Sequence, residues 1–320
     1  MENTQKLLVT SSPHFRSERT VRKEMLDVII ALIPSLIAGT YFFGLRALLL
    51  TIISVLSCVI FEFISTKVMK RKTTIGDLSA IVTGILLAFN IPVSLPIWQL
   101  ILGSFFAIVV CKQLFGGLGQ NIVNPALGAR AFLLASWPSS MSNFVAPTPG
   151  SFDIQASATT SATVLSGGNY PSLLDMFLGN MGGCIGEVSA LALLIGAAYL
   201  LIRKVINLRI PLCYILTAAI LLTIFKQDIS QTLPQILSGG LILGAFFMAT
   251  DYTTTPVTPK GEILFAIGCG ILTSVFRVFG GYPEGVSYSI LLMNLCVPLI
   301  EKVTKPDVFG VAKKKEAKNE

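Results

Sequence analysis

Phe115-Gly116-Gly117-Leu118-Gly119-Gln120-Asn121-Ile122-Val123-Asn124-Pro125-Ala126 joins one apolar run, 96–114, to the next, 121–136. Its first three residues return as Phe279-Gly280-Gly281, again between two apolar runs, 261–279 and 284–301. Farther upstream, Thr83 to Asn90 followed by Ile91-Pro92 is mirrored by Gly244 to Asp251 followed by a Thr/Pro-rich turn. The two copies are offset by five apolar runs, an odd number, so within a membrane they lie with opposite orientation. Inverted repeats whose matching spans are short or interrupted point to a site near the membrane midplane, at the repeat interface. The third and fifth runs fit: each has about 16 residues, and the fifth contains Pro125. Two tilted, Gly-rich helices packed for structural reasons leave a similar trace.

The rest of the chain follows the same pattern. Of 320 residues, 53% are hydrophobic and only 13% charged, the composition of a multi-span membrane protein. Ten apolar runs follow one another: 25–43, 46–66, 75–90, 96–114, 121–136, 184–203, 210–226, 230–249, 261–279 and 284–301. Each is near the ~20 residues that cross a bilayer as a helix. The expected fold is therefore an all-α integral membrane protein of about ten transmembrane helices. Two inverted five-helix repeats, 25–136 and 184–302, flank one long polar loop, 137–183, with tails at 1–24 and 303–320.

Charge sets the orientation. Twenty of the 24 Lys and Arg fall in the tails and the loops between alternate spans, among them Lys67, Lys70, Arg71, Lys72, Lys112, Arg203, Lys204, Arg209 and Lys260. The opposite side has only Arg46, Lys226 and Arg277, while Arg130 lies within a span. By the positive-inside bias both termini are cytoplasmic and the 137–183 loop is outside. The net charge of +7 is thereby accounted for, and no soluble basic domain is left to hold nucleic acid. The leading segment has no cleavable-signal pattern, so the first span is expected to act as an uncleaved insertion signal. Six scattered cysteines with no close-spaced pair speak against a disulfide framework, a metal or an iron–sulfur centre made by this chain alone. A single histidine, His14, excludes an internal bis-histidine haem.

Several polar residues carry candidate chemistry. Asn121 and Asn124, three apart, are expected to share one helix face, where two carboxamides suit a ring-shaped cofactor or serve as inter-helix glue. Arg130, costly in hydrocarbon, needs a polar cavity, a carboxylate or a phosphate. Asp77, Asp251, Glu187 and Glu284 are acidic groups beside apolar segments; they read either as an ion path or as interfacial helix caps. The outer loop contains Ser157-Ala158-Thr159-Thr160-Ser161-Ala162-Thr163-Val164-Leu165-Ser166-Gly167-Gly168 and no Lys or Arg. By composition alone it is a solvated loop.

Taken together, the Phe115 to Ala126 run with Arg130-Ala131-Phe132, Ala249-Thr250-Asp251 with Thr258-Pro259-Lys260-Gly261, and Gly280-Gly281-Tyr282-Pro283-Glu284-Gly285-Val286-Ser287-Tyr288 resemble the RnfD family, the D subunits of the Rnf complexes. Those are bacterial ion-translocating ferredoxin:NAD oxidoreductases, and the B subunit of the Na⁺-translocating NADH:quinone reductase is a relative. The resemblance spans Pro13 to Phe309. It implies FMN joined through a phosphoester to the last Thr of an Asp-x-x-(Ser/Thr)-x-Ala-Thr run, attached by a dedicated flavin transferase. In this chain the attachment residue is then Thr163, with Ser161 beside it; Ser157 stands where the family has Asp. The resemblance also implies a second, non-covalent riboflavin in the membrane part, with Asn121 and Asn124 as its candidate contacts. The partners it implies are the other Rnf subunits and membrane lipid.

The expected role is a flavin-carrying electron relay in a redox-driven Na⁺ or H⁺ pump. NAD and ferredoxin are left to other subunits, because no Gly-x-Gly-x-x-Gly unit is present. The rival is a solute channel or secondary transporter, since the same spans and repeats serve a urea-transporter-like protein without flavin.

Overall fold

The computed structural model describes residues 19–150, 171–227, 231–280 and 285–306. Thr163, Ser161, Glu284 and the attachment run lie outside these residues.

The described residues are helical, and two of the helices show how the sequence makes them. α1 (Val21–Phe43) is capped by Thr20, whose hydroxyl accepts from Lys23 N, and α2 (Leu45–Val68) follows after Gly44. Gly44 takes φ 76°, a conformation open to glycine, and this lets the chain reverse without a longer loop. On α1 the buried stripe runs Met25, Leu32, Ser35, Gly39, Phe42, and the exposed stripe Ile30, Ile33, Ile37, Tyr41. On α2 the buried stripe is Ala47, Ser54, Cys58, Glu62, Ser65, and the exposed one Ile52, Leu56, Ile60, Ile64. The exposed stripes are large and mostly aliphatic, while the small and polar residues are gathered on the inward faces beside Met25, Leu32 and Phe42. That is the reverse of a soluble protein and the pattern expected when lipid is the solvent.

Among the described residues, five helices are long and apolar enough to cross a membrane: α1, α2, α9 (Arg209–Lys226), α12 (Pro259–Phe279) and α13 (Val286–Thr304). Shorter apolar helices fill the space between them: α3 (Ser79–Phe89), α4 (Ile97–Phe105) and α8 (Ala190–Ile202). α5 (Pro125–Ser136) begins at proline with Asn124 as its cap. α6 (Pro138–Met141), α7 (Leu173–Leu178) and α10 (Thr232–Leu237) are one or two turns each. α4 runs on as a π-helix, Phe106–Gln113, and α11 (Leu241–Leu243) as another, Gly244–Met248. The apolar run at 230–249 is therefore broken at Ser238-Gly239-Gly240 rather than forming one span, and the run at 184–203 is helical only from Ala190.

Both breaks are buried and both are satisfied by protein. The irregular stretch 184–189 passes inside the bundle: Ile185 N and Gly186 N donate to the Ile91 and Phe89 carbonyls, and Ser35 Oγ donates to Gly186 O. Gly186 lies so close to the Phe89 ring that a Cβ there would overlap it. At the second break, Arg277 donates to the carbonyls of Gln235 and Ser238. Its place at the end of an apolar run predicts an outer-surface charge. The structure buries it instead, because the interrupted backbone leaves carbonyls that no helix satisfies and non-helical backbone at this depth needs protein partners.

The loops gather at two ends. At one, Arg71 donates to Gln113 O, Asn121 to Thr253 and Arg19 to the carbonyls of Arg203 and Lys204. At the other, Thr148 N bonds Phe42 O, Arg46 bonds Val93 O, and Ser94 Oγ bonds Asn143 O.

Candidate functional site

At the first end the helices part around a cleft open to its surroundings. Its polar wall comes from Ser79, Lys112, Asn121, Asn124, Asp251 and Thr253, and its apolar wall includes Met25, Val82, Leu86, Phe246 and Phe247. Both π-helices abut it. In the first, the wide turn buries Cys111, Lys112 and Gln113 in succession, which one face of an α-helix does not do.

The two asparagines reach the cleft by a route the spacing did not show. They do not share a helix face, because Asn121 precedes α5 and Asn124 caps it. Asn124 Oδ1 accepts from Ala126 N and Leu127 N, and its Nδ2 donates to Met248 O at 3.4 Å. Asn294 of α13 buttresses this turn: with its amide nitrogen toward Ile290 O and Thr254 O, its oxygen accepts from Asn124 N at 3.2 Å. Asn121 Nδ2 donates to Val123 O and Thr253 Oγ1, while its Oδ1 is buried with no hydrogen-bond partner among the described residues. An acceptor without a partner in a cleft wall is a place for a ligand N–H.

Lys112, which the charge pattern assigns to a cytoplasmic loop, is instead buried inside the bundle. Its Nζ lies 2.9 Å from Glu62 Oε2 and 2.6 Å from Ser79 Oγ. Glu62, in the C-terminal part of α2, also accepts from Thr74 Oγ1, and Ser79 donates on to Asp77 Oδ1. Leu78 between them holds φ 66°, rare for a residue with a Cβ. The bonds of its neighbours fix it there: Asp77 holds Ser79 N, and Leu78 O accepts from Ile81 N and Val82 N. A lone carboxylate in an apolar span demands a partner, and that signal was available at Glu62. Its partner stands 50 residues away, beyond the reach of helical spacing.

Asp251 sits half-buried in the opposite wall, accepting from Thr253 N and the hydroxyls of Thr253 and Thr254. Burial pushes its carboxyl above the ordinary value, and the threonine bonds pull it part of the way back. Asp77 borders the cleft through Ser79. Arg130 and Glu187 belong elsewhere: they meet each other at 2.7 Å, with Asn90 Oδ1 at 2.6 Å and Cys184 Sγ at 3.8 Å from the guanidinium. The sequence-derived residues thus divide into a cleft group (Asn121, Asn124, Asp251, with Asp77 adjoining) and a closed cluster (Arg130, Glu187).

Comparison with known proteins decides the family. The NQR2, RnfD, RnfE family profile matches residues 8–310. The chain belongs to that family. Among its NQR2/RnfD/RnfE relatives, the D subunit of the Na⁺-translocating ferredoxin:NAD⁺ oxidoreductase complex of Acetobacterium woodii is 53% identical, over 99% of each chain. The D subunit of the proton-translocating ferredoxin:NAD⁺ oxidoreductase complex of Clostridium ljungdahlii is 42% identical over 94% of this chain and 96% of its own. The D subunit of the ion-translocating oxidoreductase complex of Yersinia enterocolitica is 35% identical over 94% and 98%.

Proposed function

We propose that this chain is the D subunit of an Rnf-type complex, a membrane-embedded, flavin-carrying electron relay in a pump that couples ferredoxin oxidation and NAD⁺ reduction to Na⁺ or H⁺ movement. The observation that carries the proposal is the 53% identity to such a protein along 99% of both chains. The reading includes about ten spans in two inverted repeats, cytoplasmic termini and an outer 137–183 loop in the bacterial inner membrane. Its support is the grouping of alternate loops at two ends and the interruption of two spans at buried, protein-satisfied breaks. The partners are the other subunits of the complex and the flavin transferase that loads the loop.

In this reading Thr163 holds FMN through a phosphoester, with Ser161 beside it, and the cleft takes a second, non-covalent flavin of riboflavin type. The cleft suits such a ring. Its walls are mostly apolar with a few convergent polar groups, the make-up usual for small-molecule sites. A flavin imide edge presents carbonyl acceptors and one N–H donor. Asn121 Oδ1 is an acceptor without a partner, and Lys112 is a buried donor. The flavin supplies one- and two-electron chemistry when bound, while the chain orients it and sets its electrostatic surroundings. Asp77 and Asp251 at the cleft, with Glu187 and Glu284, are the carboxylates available to an ion path.

The test is direct. Denatured wild-type chain, made in a cell that has the transferase, is expected to keep yellow in-gel fluorescence, and Thr163→Val to lose it. Fluorescence that survives the substitution moves the attachment to another hydroxyl. Its absence from the wild type overturns the covalent-flavin reading.

A further inference from the structure

We infer that Lys112 holds negative charge in the cleft: it offers an N–H to a bound ring that becomes more negative on reduction, and Glu62 behind it sets how strongly. The inference rests on the reading that the cleft takes a flavin-type ring.

Three observations carry it. A lysine ammonium has three N–H donors, and Lys112 commits two, to Glu62 and Ser79. Lys112 also lines the cleft, as does Ser79, whose hydroxyl its ammonium reaches at 2.6 Å, so the ammonium lies at the cleft wall. Finally, packing gives little reason for the pair, since a buried ion pair is often no more stabilising than apolar residues of the same volume, and unlike Arg130–Glu187 it ties no broken backbone. The charged groups in the wall are Lys112 and Asp251, with Glu62 behind the lysine and Asp77 behind Ser79. Lys112 is the one cation among these four. In a poorly screened interior its effect on a nearby charge is several times larger than at a surface.

The chemistry required of Lys112 is electrostatic. Two electrons and one proton, supplied in the assay by mediator dyes and buffer, leave a reduced flavin with one negative charge. The ammonium favours that charge by a hydrogen bond and by Coulomb attraction, and it keeps its own proton. Replacing Lys112 removes the attraction, whereas neutralising Glu62 frees the ammonium from its competitor. The two substitutions therefore act with opposite sign. Loss of packing would move both the same way.

The experiment uses the full chain carrying Thr163→Val, so that any flavin is non-covalent, in lipid nanodiscs with added riboflavin. The oxidised-state Kd comes from fluorescence quenching and the midpoint potential from spectroelectrochemical titration. Lys112→Met is expected to lower the preference for reduced over oxidised riboflavin at least tenfold, about 30 mV for a two-electron couple. Glu62→Gln is expected to raise that preference, and Lys112→Arg to stay close to the parent. Should Lys112→Met alone leave the chain misfolded, the Glu62→Gln/Lys112→Met pair, which buries no unpaired charge, is expected to lie below the parent. Riboflavin bound with an unchanged potential in Lys112→Met, or shifts of the same sign in Lys112→Met and Glu62→Gln, overturns the inference while leaving the cleft's ligand in place. A parent chain that binds no riboflavin overturns the flavin reading of the cleft, and this inference with it.

Discussion

Two buried ion pairs stand among the described residues, with nearly the same chemistry and opposite surroundings. Lys112–Glu62 and Arg130–Glu187 are 2.9 and 2.7 Å apart, and all four side chains are almost wholly buried. Around Arg130 the structure closes. Asn90 caps α3 and accepts from the guanidinium, Cys184 touches it, and the irregular stretch that carries Glu187 is stitched to Phe89 and Ile91. Around Lys112 the structure opens into the cleft. Guanidinium, a planar fork of five donors, suits the site where many groups must be tied at once, and ammonium suits the one where a donor is left for a ligand. The difference separates the part of the molecule that holds broken helices together from the part that the proposed function assigns to a ligand.

The strongest way to break this comparison is at the closed pair. Glu187→Ala leaves Arg130 buried without its carboxylate, and removing one partner of a buried pair typically costs ~3–5 kcal/mol. The variant is expected to fall far in thermal stability when its melting is followed in detergent or nanodiscs. A loss no larger than that of a surface variant contradicts the structural role given to this cluster. Next in size is Gly186→Ala. The new Cβ overlaps the Phe89 ring, and overpacking of this kind costs ~1–3 kcal/mol.

At the open end the expected pattern inverts, with small stability effects and large binding effects. Asn121→Ala removes hydrogen bonds to Val123 O and Thr253 worth ~0.6–2 kcal/mol between membrane helices. It also removes the unpartnered acceptor, so riboflavin affinity is expected to fall by at least tenfold while melting moves little. Equal losses in both measurements would place Asn121 with the packing residues instead.

How much of this was legible in the sequence depends on the range over which each feature is decided. α1, α2, α9, α12 and α13 are long unbroken apolar runs, and length with composition finds them. Asn124-Pro125 is a local helix start, cap and first residue, yet apolar patterning extends the span back to Asn121 and makes the asparagines neighbours on a helix face. Local rules were sufficient there, and the apolar residues around the pair masked them. The partners of Glu62, Arg130 and Arg277 lie 50, 57 and about 40 residues away along the chain, and only the packed bundle selects them. A cation at a span end reads as an interface anchor for the same reason. Lys112 looks like Lys67 until α2 and α3 are laid against it.

The smallest predicted effect is the one that depends on pH, and it sharpens the contrast from the side of the cleft. Burial raises the Asp251 carboxyl above 3.8, while its bonds from Thr253 and Thr254 act the other way. A carboxyl raised on folding binds its proton more tightly in the folded chain. Its contribution to stability is therefore complete below the unfolded value and is lost as pH rises through the folded one. Asp251→Asn keeps an acceptor for the threonines without the charge, so the variant's melting temperature is expected to gain on the wild type as pH climbs from about 4 to about 7. Because the side chain is only half-buried, solvent screens much of the charge and the gain is small. A variant that instead loses ground as pH rises would mean that the ionised Asp251 is compensated in the folded chain, and a cation at the cleft mouth is the compensation to look for, by repeating the melts with Na⁺ exchanged for choline.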